Sequence, residues 1–90
     1  MTTRHIMIQN RTGLHARPAS EFVALAAKFK SKITIRRLDE EDETNAKSIM
    51  LLLALGLGQG EDVVITAKGE DEAEAVEALA ALVASKFGEE

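Results

Sequence analysis

The apolar residues of this chain switch between a repeat of two and a repeat of three to four, and that succession restricts it to few folds. In residues 4–9, Ile6 and Ile8 share one face while His5 and Met7 share the other, as in a half-buried strand. Residues 10–13 read as a loop. Over residues 16–30, Ala19, Phe22, Val23, Ala26 and Phe29 recur at helical spacing, and Pro18, the only proline, falls in the first turn, where its missing N–H costs nothing. Lys28 and Lys30 suit the negative end of that helix. Ile33 and Ile35 mark a second strand over residues 32–37, residues 39–43 form an acidic turn, and Thr44 and Asn45 supply a short third strand. Ser48 is a good N-cap for a helix that runs to about Leu55 and is ended by Gly56 and Gly58. A fourth strand over residues 62–67 alternates Val63 and Ile65 with Val64 and Thr66. After Gly69, the acids Glu70, Asp71 and Glu72 open a last helix with an apolar stripe of Val76, Leu79, Ala80, Val83 and Phe87. The order βαββαβα predicts an α+β fold in which helices pack on one face of an antiparallel sheet.

Ninety residues suffice for one small domain, spanning 1–90. Only three residues are aromatic and many of the apolar ones are alanines, so aliphatic packing of helices on a sheet must supply the core. The absence of cysteine excludes disulfides and thiolate metal sites and fits the cytoplasm. The first five residues lead into a strand-like stretch, not the apolar core of a signal peptide. The longest apolar run, residues 49–57, is about half of what crosses a bilayer. A cytoplasmic domain with no membrane association is therefore expected. Its charge is lopsided: residues 1–38 carry eight Lys and Arg against one acid, and residues 39–90 carry three against fourteen. The basic first half would attract a phosphorylated or acidic partner. Nucleic acid is excluded as a partner, because no basic stripe is interleaved with aromatic residues.

The stretch that carries chemistry is Thr12-Gly13-Leu14-His15-Ala16-Arg17-Pro18-Ala19. It places His15 at the mouth of the first helix with Arg17 two residues later. The free N–H groups of a helix start, here those of Ala16 and Arg17, hold phosphate oxygens while the helix dipole favours an anion. Arg17 adds a permanent charge with a fork suited to phosphate, and a histidine ring nitrogen is a nucleophile able to carry it. The bland alternative is a capping or surface histidine without chemistry. His5 lies on a strand with no cationic or glycine partner and is given no role; Arg11 is a loop arginine beside the site. Two distant histidines without cysteine make a metal site a poor fit.

Three blocks of this chain carry a resemblance to a known family: Gly13-Leu14-His15-Ala16-Arg17-Pro18-Ala19; Asn45-Ala46-Lys47-Ser48-Ile49-Met50 with Leu55-Gly56-Leu57 after it; and Gly69-Glu70-Asp71-Glu72. Together they resemble HPr, the histidine-containing phosphocarrier family of the bacterial phosphoenolpyruvate-dependent phosphotransferase system. The resemblance covers the whole chain. It implies an open-faced β-sandwich of four antiparallel strands and three helices. It further implies that enzyme I phosphorylates His15 on Nδ1 and that His15 passes the group to an IIA-type acceptor, without metal or organic cofactor and as a monomer. Arg17 carries over as the phosphate-binding arginine. Ile49, Met50, Leu53 and Leu57 carry over as a docking patch beside His15, while Leu52 and Leu55 are expected in the core. In Gram-positive relatives the serine matching Ser48 is the target of a regulatory kinase, although capping alone would also account for it.

Some features depart from the sugar-transport members. The turn Leu38-Asp39-Glu40-Glu41-Asp42-Glu43 is long and acidic, Ala24 and Ala27 stand where some members have lysines, and Leu51 and Leu53 stand where polar residues are common. These lean toward NPr, the carrier of the nitrogen-related branch, whereas Ala46-Lys47-Ser48-Ile49-Met50 and Gly56 look like the sugar branch. The expected function is a phosphocarrier of the sugar system. The alternatives are a nitrogen-branch carrier and a regulatory module that binds a partner without transferring phosphate.

Overall fold

A computed structural model describes residues 1–88. Its elements are β1 (Thr2–Met7), α1 (Ala16–Ala26), β2 (Lys32–Arg37), β3 (Thr44–Asn45), α2 (Ile49–Leu55), β4 (Asp62–Lys68) and α3 (Glu72–Ala84), followed by a 3₁₀ turn at Lys86–Gly88. The sheet order is β1-β4-β2-β3 and every pair is antiparallel. This is the βαββαβα arrangement expected from the sequence, with its helices on one face of the sheet.

Register explains which face is covered. Ile6 lies opposite Val63, and Ile33 and Ile35 lie opposite Ala67 and Ile65, so one face of the sheet is continuous and aliphatic. Helix α3 covers β1 and β4, α1 packs against both α3 and α2, and α2 reaches β3. Phe22 of α1, Leu52 of α2, and Val76, Leu79 and Val83 of α3 are all but fully buried on that face. The opposite face bears Thr3, His5, Thr34, Thr66 and the facing lysines Lys32 and Lys68.

Two helices end differently from expectation. Helix α1 stops at Ala26, not near residue 30, because Lys28 N–H turns to the Leu25 carbonyl (3.1 Å) and Phe29 N–H to the Ala26 carbonyl (3.2 Å). These tighter bonds close the last turn. The cation that meets this end is Lys47, whose Nζ donates to the Phe29 carbonyl at 2.7 Å. Phe87 does reach the core, yet not as part of α3: Lys86 and Phe87 have φ of 58° and 54°, and this left-handed pair reverses the chain and swings the ring inward.

The start of α3 is fastened to the start of β2. The Asp71 carboxylate accepts from Lys30 N–H at 2.8 Å, Ser31 N–H at 2.9 Å and Ser31 Oγ at 2.5 Å. A Cβ on Gly69 would lie 2.8 Å from Ser31 Cα, so only glycine admits this approach. The Ser31 hydroxyl and then the Lys30 N–H hold the Asp71 carboxyl down at about 2, against an ordinary 3.8. A carboxyl depressed on folding adds stability that is present above its unfolded pKa and lost as pH falls through the folded one. The melting temperature should therefore fall as pH drops from about 4 to 2. Glu72, held down to about 2 by the N-terminal amine and then Thr2, shares that limb. Asp71→Asn should therefore make it shallower without abolishing it in a calorimetric pH series, and an unchanged limb would show that Asp71 does not contribute.

Candidate functional site

His15 owes its place to the segment that precedes it. Beyond β1, Ile8 N–H donates to the Glu61 carbonyl at 2.9 Å and Gly60 N–H to the Ile8 carbonyl at 2.7 Å, which extends the pairing of β1 with the approach to β4. The chain then turns at Asn10, a buried residue whose Nδ2 donates to the Gly13 carbonyl at 2.8 Å. Gly13 has φ of +69°, and a Cβ there would stand 2.4 Å from the Leu57 carbonyl oxygen and 2.7 Å from Gly58 Cα. Leu14 N–H donates to that same Leu57 oxygen at 2.9 Å while its side chain is fully buried. Backbone thus lies directly on backbone, and the next residue is His15.

His15 is the N-cap of α1, in extended conformation (φ −130°, ψ 159°), with its side chain exposed and making no capping hydrogen bond. Ala16 has φ of 52°, a left-handed conformation that costs an alanine about 1 kcal/mol. Burial of Leu14 contributes about 2 kcal/mol and its hydrogen bond about 1, which together outweigh that strain. Pro18 is buried in the first turn. The N–H groups of Ala16 and Arg17 belong to the turn that has no intrahelical acceptor and carries the positive end of the dipole.

Arg17 is engaged. Its Nη1 lies 2.5 Å from Glu21 Oε2, one turn along α1, and its Nη2 donates to the Phe87 carbonyl at 2.8 Å. The left-handed turn that buries the Phe87 ring is also what brings that carbonyl to the site. Arg11 is exposed in the loop. His5, on the uncovered sheet face, pairs with Asp62 at 3.0 Å.

The remaining candidates lie along α2. Ser48 is its N-cap, and Oγ accepts from Leu51 N–H at 3.3 Å. Met50 is 79% exposed, Leu51 51% and Leu53 41%, while Ile49 is half-buried against the core. Leu57 requires correction: it is fully buried, so its side chain cannot belong to a docking patch. Its side chain lies in the aliphatic core, while its carbonyl is the seat for Leu14. Leu51, beside Met50 and Leu53, is the exposed member instead. Leu52 is buried as expected, and Leu55 is partly so.

An ion pair unremarked in the sequence steadies that seat. Arg37 Nε donates to Glu61 Oε1 at 2.8 Å and Arg37 Nη2 to the Leu55 carbonyl at 2.5 Å, a cation at the negative end of α2. Glu61 Oε2 accepts from Gly58 N–H at 2.5 Å. The hydrogen bond to Glu61 raises the Arg37 pKa, and the bonds from Arg37 and then Gly58 lower that of Glu61. An open depression of about 440 Å³ adjoins the pair, lined by Arg37, Leu38, Asp39, Gly60, Glu61 and Asp62, and does not include His15. Among the described residues, no group of three or more His, Cys, Asp or Glu converges as a metal site requires, and no helix is long and apolar enough to cross a membrane.

An exposed imidazole at a helix mouth suits exchange with another macromolecule more than enclosure of a small substrate. Comparison with known proteins gives the class. The family profile described as "PTS HPr component phosphorylation site" matches residues 2–85. The phosphocarrier protein HPr of Cupriavidus necator is 40% identical over 89 residues, spanning 99% of this chain and 98% of its own. The phosphocarrier protein NPr of Proteus mirabilis is 41% identical over 87 residues, spanning 97% and 96% respectively. A crystal structure of HPr from Thermoanaerobacter tengcongensis superposes with a TM-score of 0.94 at 50% identity, covering 100% of this chain and 99% of that one. This chain belongs to the HPr family of phosphocarriers of the phosphotransferase system, which are relay components and not enzymes.

The backbone contact at Gly13 generates a graded expectation. Gly13→Ala should cost roughly 2–4 kcal/mol in urea unfolding, since strain and a backbone clash combine. Gly60→Ala, at φ of +88° with open space around it, should cost only about 1 kcal/mol. Equal costs would show that the approach of Gly13 to Leu57 is not tight.

Proposed function

We propose that His15 is the residue that carries the phosphoryl group, accepting it from enzyme I and passing it to an IIA-type acceptor of the sugar phosphotransferase system. The observation that carries this reading is the exposed His15 ring at the N-terminus of α1, held there by the docking of Gly13 and Leu14. The transferred group develops charge on its oxygens, so positioning and electrostatic stabilisation dominate such reactions. Here the N–H groups of Ala16 and Arg17 and the guanidinium of Arg17 provide both, with no cofactor needed. A site open to water stabilises the bound anion only modestly, which leaves the group transferable.

Met50, Leu51 and Leu53, with Ile49 at their margin, form the apolar surface for enzyme I and the acceptors. Ser48 stands at the head of the same helix, and a phosphate on it would place charge beside Met50 and Leu51, so that a serine kinase acting there would weaken docking. The nitrogen-related branch is the second reading, favoured by the exposure of both Leu51 and Leu53. The long acidic turn also supports it; Arg36 Nη1 donates to the Arg37, Leu38 and Glu40 carbonyls there.

Intact-protein mass after incubation with enzyme I and phosphoenolpyruvate tests the assignment. Wild type should gain one acid-labile phosphoryl group, and His15→Ala should gain none while melting at the same temperature, because the exposed ring makes no capping bond. A phosphorylated His15→Ala would remove His15 from the relay. For docking, Met50→Asp should raise the KM for enzyme I about tenfold or more with kcat little changed. An unchanged KM would place the partner on another face.

A further inference from the structure

We propose that Glu21 sets the phosphoryl-transfer potential of His15 by competing with the phosphoryl group for Arg17. The inference rests on the carrier reading above and goes beyond it in assigning a role to a carboxylate that is not part of the phosphate site. Arg17 does not wait free for an anion: one terminal nitrogen is 2.5 Å from Glu21 Oε2 and the other donates to the Phe87 carbonyl at 2.8 Å. The two anchors differ in kind. The Phe87 carbonyl is fixed, because its own ring is locked in the core. The Arg17–Glu21 pair is 58% and 39% exposed, so water competes for it and it exchanges easily.

A four-residue spacing puts Glu21 on the same face of α1 as Arg17, one turn from the helix mouth. There its charge opposes the arrival of an anion in two ways. It occupies donors of the guanidinium fork that a phosphoryl group would take, and it adds like-charge repulsion. In the transfer step the lone pair of a His15 ring nitrogen forms the new N–P bond, and the donor's bond to phosphorus breaks with its electron pair staying on the donor. One proton leaves the His15 ring and one is taken up by the donor. With Nη2 retained by the fixed Phe87 carbonyl, Arg17 meets the incoming oxygens most fully when Nη1 turns from Glu21 to them. That exchange raises the free energy of the phosphorylated state and makes the group easier to hand on.

The equilibrium constant for phosphoryl exchange with phospho-enzyme I is the discriminating readout. It depends only on the free and phosphorylated forms of the two proteins, so any contact of Glu21 with the partner during docking cancels out of it. Neutralising the carboxylate in Glu21→Gln should shift the equilibrium about three- to fivefold toward the phosphorylated carrier. The same substitution in an Arg17→Ala background should shift the equilibrium clearly less, since the competition has lost its object and only the repulsion across water remains. Glu21→Ala repeats the test should the glutamine variant fold poorly. An unmoved equilibrium in wild-type background, or equal shifts in both backgrounds, would overturn the proposal. A wild-type chain that takes up no phosphoryl group would instead sink the carrier reading itself, an outcome distinct from a phosphorylated chain with an unmoved equilibrium.

Discussion

Two backbone segments pressed together at Gly13–Leu14 and Leu57–Gly58 are the contact on which the site depends. A 2.9 Å hydrogen bond joins them, and no atom fits between Gly13 Cα and the Leu57 carbonyl. One side of the contact leads within two residues to His15, and the other closes α2 and its exposed apolar residues. The group proposed to react and the surface proposed to dock are thereby registered to each other through main chain, whose geometry is stiffer than that of any side-chain bridge. Arg37 and Glu61 hold the α2 side by bonding the Leu55 carbonyl and Gly58 N–H. Asn10 holds the His15 side through the Gly13 carbonyl.

The electrostatics around His15 are deliberately shallow in the physical sense that every charge near it meets water. A buried ion pair would bind a phosphate too strongly and would cost several kcal/mol if left unpaired. Exposed groups at a helix N-terminus offer smaller, exchangeable stabilisation. A relay protein needs that middle range, since its cargo must be gained from one partner and lost to the next. The strained Ala16 and the parked Arg17 fit the same pattern: local costs of about 1 kcal/mol are carried by a core of aliphatic residues that does not touch the chemistry.

Much of this was legible in the residues because local rules governed it. Alternation at Ile33 and Ile35, the helical spacing of Ala19, Phe22 and Ala26, and the cap at Ser48 each depend on neighbours a few positions away. His15 at the helix mouth was visible for the same reason. What escaped depended on pairs distant in sequence. Arg37 and Glu61 meet across 24 residues, and Arg17 and Phe87 across 70, with no periodic signature for either. Leu57 was assigned to the docking patch by resemblance alone, and its burial depends on core partners that no local spacing reports. The early end of α1 reflects a tight 3₁₀ closure that apolar spacing does not report.

The central claim is that the N-terminus of α1 receives a phosphoryl group on His15. The most direct measurement is nitrogen-15 and proton NMR of the phosphorylated protein, reading the His15 ring nitrogens together with the backbone amides. Phosphorus on Nδ1 of His15, with the Ala16 and Arg17 amide protons moving downfield as they bond its oxygens, is the predicted result. A phosphoryl group on another residue, or on His15 with those two amides unmoved, would contradict the account.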